Sequence, residues 1–215
     1  MEFNGCSFPD ELEYTEDLAA WLKKEKEFYR VGITSLLLWT TGKRLVFTLK
    51  EPCTIVEPGR NLFTVEGPRY FGAVRLPVRA KIMSVNPNLP HVFRSTSEVY
   101  NEGWLCTISI SEDTSGLFLR SEKLAEKLRS EFRNRELQCF SVMSDEDMVE
   151  IGTECSSVFV KLREKMKTED EGFTVHLVSD DPTAPIEVVR WSDETGIKIL
   201  ESRKVGDLFH FLLRK

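Results

Sequence analysis

Covalent chemistry in this chain falls to its five cysteines, Cys6, Cys53, Cys106, Cys139 and Cys155. No two of them form a C-x-x-C pair and only 3 histidines accompany them. The short clustered pairs of a structural zinc site are missing, so no metal site is expected. Cys155 stands apart because Val158, Leu162 and Met166 recur at helical spacing directly after it. A thiol beside a helix N-terminus faces unpaired N–H groups and the positive end of the dipole, and both favour the thiolate. From an ordinary pKa of about 8.5 only a few per cent is thiolate at neutral pH; one unit lower gives roughly a quarter. Glu154 opposes that shift, while Ser156 offers a hydroxyl donor. The remaining cysteines read as buried thiols. Cys139 reads as a strand filler, with a resolving thiol for Cys155 as the alternative. His91 falls in the loop Leu89-Pro90-His91 and His176 alternates along a strand, neither with partners for acid–base work. Asp180 and Asp181 look like paired carboxylates, but they stand where a strand hands over to a helix, which is a capping position. The acidic stretches Asp145–Asp147 and Glu169–Glu171 read as solvated loops.

The elements that must position these groups fall into two grammars. Residues 28–110 alternate with a two-residue period in short runs, as in Arg44–Leu49, Leu62–Val65, Ala80–Val85 and Trp104–Ile110, divided by turns such as Glu57-Pro58-Gly59. That pattern predicts a small sandwich or barrel. Leu124, Leu128 and Phe132 then mark one apolar stripe on a helix that Ser121 would cap. A polar stretch, Arg133–Glu136, follows. Beyond it a strand over Leu137–Met143, the helix after Cys155, a strand through Phe173, Val175 and Leu177, a helix over Thr183–Thr195 stopped by Gly196, and two closing strands are expected. This places the boundary near 136, between domains 1–136 and 137–215.

The chain has 215 residues, 41% of them hydrophobic and 30% charged, with a formal net charge of −6. That is ordinary globular composition with enough apolar material for a core. The acidic balance disfavours tight nucleic-acid binding and adhesion to an anionic membrane. No apolar run is long enough to span a bilayer, and Met1–Asp10 lacks a secretory signal, so the expected location is cytoplasmic.

Several motifs in one order carry a resemblance. Tyr14-Thr15-Glu16-Asp17, Arg30-Val31-Gly32-Ile33-Thr34, Val56-Glu57-Pro58-Gly59, Val65-Glu66, Ser84-Val85-Asn86 and Glu102-Gly103-Trp104-Leu105 are similar to the glycine cleavage H-protein family, across residues 13–132. The resemblance implies a hammerhead of two β-sheets with lipoate on a lysine at a hairpin tip. Where that family has E-S-V-K-A, this chain has Glu66-Gly67-Pro68-Arg69-Tyr70, so Arg69 occupies the lipoyl-lysine position. A guanidinium stays protonated and cannot form the lipoyl amide, and no cofactor is expected. Arg69 is read as a solvated loop residue, or as a dock for a carboxylate or phosphate. Lys81 is near in sequence but alternates along a strand.

Residues 148–215 resemble the TusA/SirA-like sulfur-transfer family. The carrying residues are Gly152-Thr153-Glu154-Cys155, Leu162-Arg163, Val178–Pro182, Glu194-Thr195-Gly196 and Phe209–Lys215. The resemblance implies a β-α-β-α-β-β sandwich and a cysteine, here Cys155, that carries persulfide sulfur. Both prolines of the family's C-P-x-P are replaced, by Ser156 and Val158, which removes a stiffening of the turn that presents the thiol. The expected fold class is therefore α+β, a β-rich lipoyl or hammerhead sandwich followed by a two-layer α/β sandwich. The expected function is a sulfur carrier with a non-lipoylated docking module, its partners being sulfur donor and acceptor proteins. The alternative is a non-catalytic adaptor in which both modules have lost their chemistry. Either is a carrier or adaptor rather than a stand-alone enzyme.

Overall fold

A computed structural model describes residues 1–135, 138–153 and 155–215, with the side chains of 133–135, 155 and 156 outside that description. The chain divides into two compact units, Met1–Met143 and Ser144–Lys215.

The first unit opens with a hairpin, β1 (Glu2–Phe3) and β2 (Cys6–Ser7). Asn4 and Gly5 turn it with φ of 46° and 76°, the pair of left-handed residues that matches a two-residue hairpin to strand twist. Next come β3 (Glu13–Tyr14), β4 (Ala20–Glu25), β5 (Phe28–Ile33), α1 (Ser35–Thr41), β6 (Val46–Leu49), β7 (Ile55–Val56) and β8 (Asn61–Glu66). They are followed by β9 (Phe71–Arg75), β10 (Ala80–Val85), a 3-10 turn over Glu98–Tyr100, β11 (Trp104–Ser109) and α2 (Ser121–Arg135). Six strands pair in the order β3-β4-β5-β11-β10-β7, and three more in the order β6-β8-β9. At Gly32 a Cβ would lie 2.5 Å from the Trp21 ring. Glycine there lets Trp21 lie against β5 while its Nε1 donates to the Val99 carbonyl at 3.1 Å. Leu124, Leu128 and Phe132 of α2 are buried, as their spacing requires. The apolar run Leu36–Trp39 is helical: Thr34 Oγ1 accepts from the Leu37 N–H at 3.1 Å and Gly42 closes the turn.

The strand expected over 137–143 is absent among the described residues. Leu137 lies outside them, and 138–143 is an irregular segment fastened to the first unit. The Cys139 N–H donates to Asn4 O at 2.9 Å and Met143 N–H to Arg94 O at 2.9 Å, and Val142 forms an isolated bridge with Ser95. Cys139 is disulfide-bonded to Cys6. The apolar letters that suggested a strand are spent on these anchors instead.

The second unit runs β12 (Glu146–Glu150), α3 (Cys155–Thr168), β13 (Thr174–Ser179), α4 (Ala184–Thr195), β14 (Lys198–Val205) and β15 (Leu208–Arg214). Its sheet order is β12-β13-β15-β14, with β12 and β13 parallel and the other pairs antiparallel. Val158, Leu162 and Met166 of α3 and Ala184, Val188 and Trp191 of α4 pack on Val175, Leu177, Phe211 and Leu213. Strand alternation therefore places His176 and His210 on the sheet face away from the helices. Gly196, at φ 77°, ends α4 with its N–H on Ser192 O. The Asp145–Asp147 stretch is not a solvated loop: Asp145 Oδ2 accepts from the Thr174 N–H at 2.9 Å, and β12 begins beside it. Pairing to β13 in parallel, rather than side-chain alternation, makes this strand. No helix among the described residues is long and apolar enough to cross a membrane.

Candidate functional site

In the first unit the chemistry-bearing element is the hairpin of β8 and β9, whose tip is Gly67-Pro68-Arg69-Tyr70. Gly67 donates to the Tyr70 carbonyl at 3.0 Å and closes it. The tip is docked on the end of α1. The Arg69 N–H reaches Thr41 O at 3.3 Å, its Nη1 donates to Trp39 O at 3.3 Å, and its guanidinium lies 5.8 Å from the Trp39 ring centroid. A Cβ at Gly67 would sit 2.5 Å from Thr41 O, so glycine is what permits this approach. Arg69 is exposed and engaged with Trp39. The four tip residues offer no amine. A cleft of about 200 Å³ beside the tip is lined by Leu36, Leu37, Thr40, Tyr70, Gly72 and Ala73 among others.

In the second unit Cys155 is the first residue of α3, as expected of a thiol at a helix N-terminus; its side chain lies outside the description, and so does Glu154. The loop ahead of it is held by Gly152, at φ 68°, whose N–H donates to Asp180 Oδ1 at 2.9 Å. Asp181 Oδ1 accepts from the Thr183 N–H at 2.8 Å and from its hydroxyl at 2.7 Å. Both carboxylates thus order the loops that enter α3 and α4. Those loops leave the carboxyl ends of two parallel strands, the place where open α/β sheets present their ligands. Ile151 and Ile186 are exposed at this same end, at 55% and 71%.

The other thiols separate by environment. Cys6 and Cys139 are bonded to each other across 133 residues, with Cα atoms 4.9 Å apart; this replaces the strand-filler and resolving-thiol readings of Cys139. Cys106 is buried, and burial pushes its pKa up to about 12, which suppresses its thiolate. Cys53 is an exposed free thiol on a turn. No group of three or more His, Cys, Asp or Glu side chains among the described residues is placed to hold a metal ion.

His176 does have partners. Its Nε2 lies 3.1 Å from His210 Nδ1, with the two rings stacked at an interplanar angle of 16°. Its Nδ1 lies 3.3 Å from Asp147 Oδ1, which also accepts from the Ser144 hydroxyl at 2.9 Å. A carboxylate only accepts, so His176 donates from Nδ1, while the tautomer decides which of His176 Nε2 and His210 Nδ1 donates to the other. Burial first, then the neighbouring His176 and Arg203, lower the His210 pKa to about 4. The motif Phe209-His210-Phe211 held the missing partner in plain view, but strand pairing alone brings residues 34 apart together. This chain lies on the sheet face away from α3, so it does not serve Cys155 as a base.

A family model described as glycine cleavage H-protein matches residues 12–132, and a second, described as sulfurtransferase TusA, matches 150–215. A probable glycine cleavage system H protein 3 of Sulfurisphaera tokodaii is 33% identical over 108 residues, covering 50% of this chain and 79% of the relative. The same organism's probable H protein 2 is 30% identical over 145 residues, covering 63% and 95%. A crystal structure of an H protein from Mycobacterium marinum aligns with a TM-score of 0.45 at 23% identity, over 58% of this chain and 98% of that one. The chain belongs to the glycine cleavage H-protein family and carries a TusA domain behind the H-protein domain.

Proposed function

We propose that this chain is a cytoplasmic sulfur carrier that holds persulfide sulfur on Cys155, with an H-protein-like module that docks partners and bears no lipoate. The observation that carries the reading is the position of Cys155 at the first residue of α3 within the segment matched by the sulfurtransferase model. A Cys155 thiolate attacks the terminal sulfur of a donor's persulfide, R–S–SH. The donor leaves as its thiolate, and Cys155 keeps the sulfane sulfur as Cys155–S–SH. The reverse attack by an acceptor thiolate passes that sulfur on. The positive end of a helix dipole favours an anionic sulfur at both stages. Exposed Ile151 and Ile186, at the end of the sheet where α3 and α4 begin, suit a donor or acceptor protein that covers this end during transfer.

For the first module, the tip residue Arg69 carries a guanidinium that stays protonated and is not acylated by lipoate, and its side chain engages Trp39. Intact protein from cells that contain lipoate ligase is expected to show no lipoyl mass increment. Incubation with a cysteine desulfurase and cysteine, followed by peptide mass spectrometry, is expected to place one extra sulfur on the Cys155 peptide. Cys155→Ala should abolish it. An adduct absent from wild type, or one that persists in the variant, sinks the carrier reading and leaves the adaptor. Tight docking of Arg69 is the observation that favours that second reading.

A further inference from the structure

We propose that a basic cleft of the first unit, lined by Lys50, Ile55, Arg60 and Arg75 among others, is a docking site for an acidic segment of a partner protein. The site goes beyond sulfur carriage by Cys155 and does not depend on it. The cleft has a volume of about 670 Å³ and lies where β7 hands over to β8 through the turn Glu57–Arg60. Gly59, at φ 72°, shapes that turn, and its N–H donates to Leu76 O at 2.9 Å. Lys50 follows the last residue of β6, and Arg75 ends β9 in register with Asn61, the first residue of β8. One turn and one strand register thus bring together cations that are 10 and 15 positions apart.

The chain itself leaves this charge unsatisfied. Glu57 is the one carboxylate among the lining residues, and Arg79 takes it with Nε at 3.0 Å and Nη2 at 2.6 Å. Arg75 donates from Nε to Asn61 Oδ1 at 2.9 Å, which fixes the guanidinium and leaves its two Nη groups for a carboxylate. Lys50 and Arg60 make no ion pair and no side-chain hydrogen bond among the described residues.

The surroundings select the ligand. Residues 50–81 hold six lysines and arginines and three glutamates, a net +3 inside a chain of net charge −6. An acidic stretch short enough for the cleft gains three cationic partners, whereas a long polyanion meets the negative remainder of the chain. A second cleft shares Gly59 and Arg75 but is lined by Glu16, Asp17 and Glu131 against one lysine, Lys127. Those carboxylates repel the same ligand and hold it to the side of Lys50 and Arg60. Ile55, 57% exposed, lines the cleft beside the cations. An inorganic anion has nothing to set against it, while a peptide offers an apolar side chain between its carboxylates.

Fluorescence anisotropy of the full chain with a fluorescein-labelled peptide EELEE tests the site, with QQLQQ and EEGEE for comparison. EELEE is expected to bind at least about tenfold more tightly than QQLQQ, the sum of three modest exposed ion pairs, and more tightly than EEGEE. Binding should weaken as salt rises from about 0.05 to about 0.3 M. A Lys50→Glu, Arg60→Glu double variant is expected to lose at least about tenfold in affinity. Arg163→Glu with Lys167→Glu, the same change in charge on exposed residues of α3, should leave binding within about twofold of wild type. EELEE binding no tighter than QQLQQ or EEGEE overturns the proposal, and that comparison needs no variant to fold. Equal losses in the two double variants overturn it too, since net charge rather than the cleft would attract the peptide. Displacement by inorganic phosphate at the concentration of unlabelled EELEE that displaces the probe reassigns the cleft to small anions and overturns the peptide. Sulfur loading of Cys155 is read separately in the same variants and is expected unchanged, so failure here leaves the carrier reading standing.

Discussion

Arg69 donates to the Trp39 carbonyl and lies over the Trp39 ring. An exposed cation–π contact contributes about 0.5–1 kcal/mol and a hydrogen bond from an exposed side chain about as much, partly offset by solvation of the freed group. Arg69→Ala is therefore expected to lower unfolding stability by about 1 kcal/mol in urea, with the slope unchanged. A loss near zero would mean that the tip is held by its backbone bonds alone. At this scale the sequence located residues and missed their partners. The flanking motifs put Arg69 at a hairpin tip, but Trp39 stands 30 positions earlier. His176 was visible as a strand residue, while Asp147 and His210, 29 and 34 positions away, reach it only because β12, β13 and β15 pair. Side-chain contacts of this kind are set by register, which no local spacing encodes.

The elements were legible where periodicity was strong. Helices α3 and α4, the β13 and β15 strands and β6, β8, β10 and β11 follow from their spacing. Other elements did not, β4, β9 and β12 among them. The run Leu36–Trp39 is apolar without a period, and only the Thr34 cap and Gly42 reveal a helix. Asn4-Gly5 is a strong hairpin signal that passed unread because its flanking strands are two residues each. The 138–143 segment looks like a strand because its apolar residues serve a disulfide and a ring contact rather than a sheet. The β8–β9 hairpin offers a test of how elements meet. A methyl at position 67 would fall 2.5 Å from the Thr41 carbonyl and 2.6 Å from its Cγ2. Backbone cannot step aside as a flexible side chain can, so Gly67→Ala is expected to cost roughly 1–3 kcal/mol, the range for overpacking. The accompanying sign is faster amide exchange at Arg69, whose N–H is bonded to Thr41 O. Unchanged exchange there would show that the hairpin and α1 do not depend on this close approach.

At the scale of the whole chain, the change from two-residue to helical periodicity told of two modules, and the family motifs told which folds they have. What neither could supply is how a buried group couples to global stability, and His210 is the clearest case. In the fold it stays neutral down to about pH 4, whereas its ordinary pKa is 6.5. Above pH 6.5 neither the folded nor the unfolded chain protonates it, and the fold has its full stability. Between 6.5 and about 4 the unfolded chain holds the extra proton, so stability falls as pH falls, by at most about 1.4 kcal/mol per pH unit for one proton. Below that window both states are protonated and the contribution stops changing. Carboxylates such as Glu57, held low chiefly by its hydrogen bonds with Arg79, and Asp113, held low by Ser115, add acid losses of their own. The informative quantity is therefore the difference between wild type and His210→Asn. The Asn amide can still donate to or accept from His176 Nε2 but takes up no proton in this range. The drop in urea stability from pH 7 to pH 5 should be smaller in the variant, even where its stability at pH 7 is reduced by the lost ring stacking. Equal drops in the two proteins would mean that His210 protonates alike in the folded and unfolded chain, and that the Asp147–His176–His210 chain does not exclude the charge.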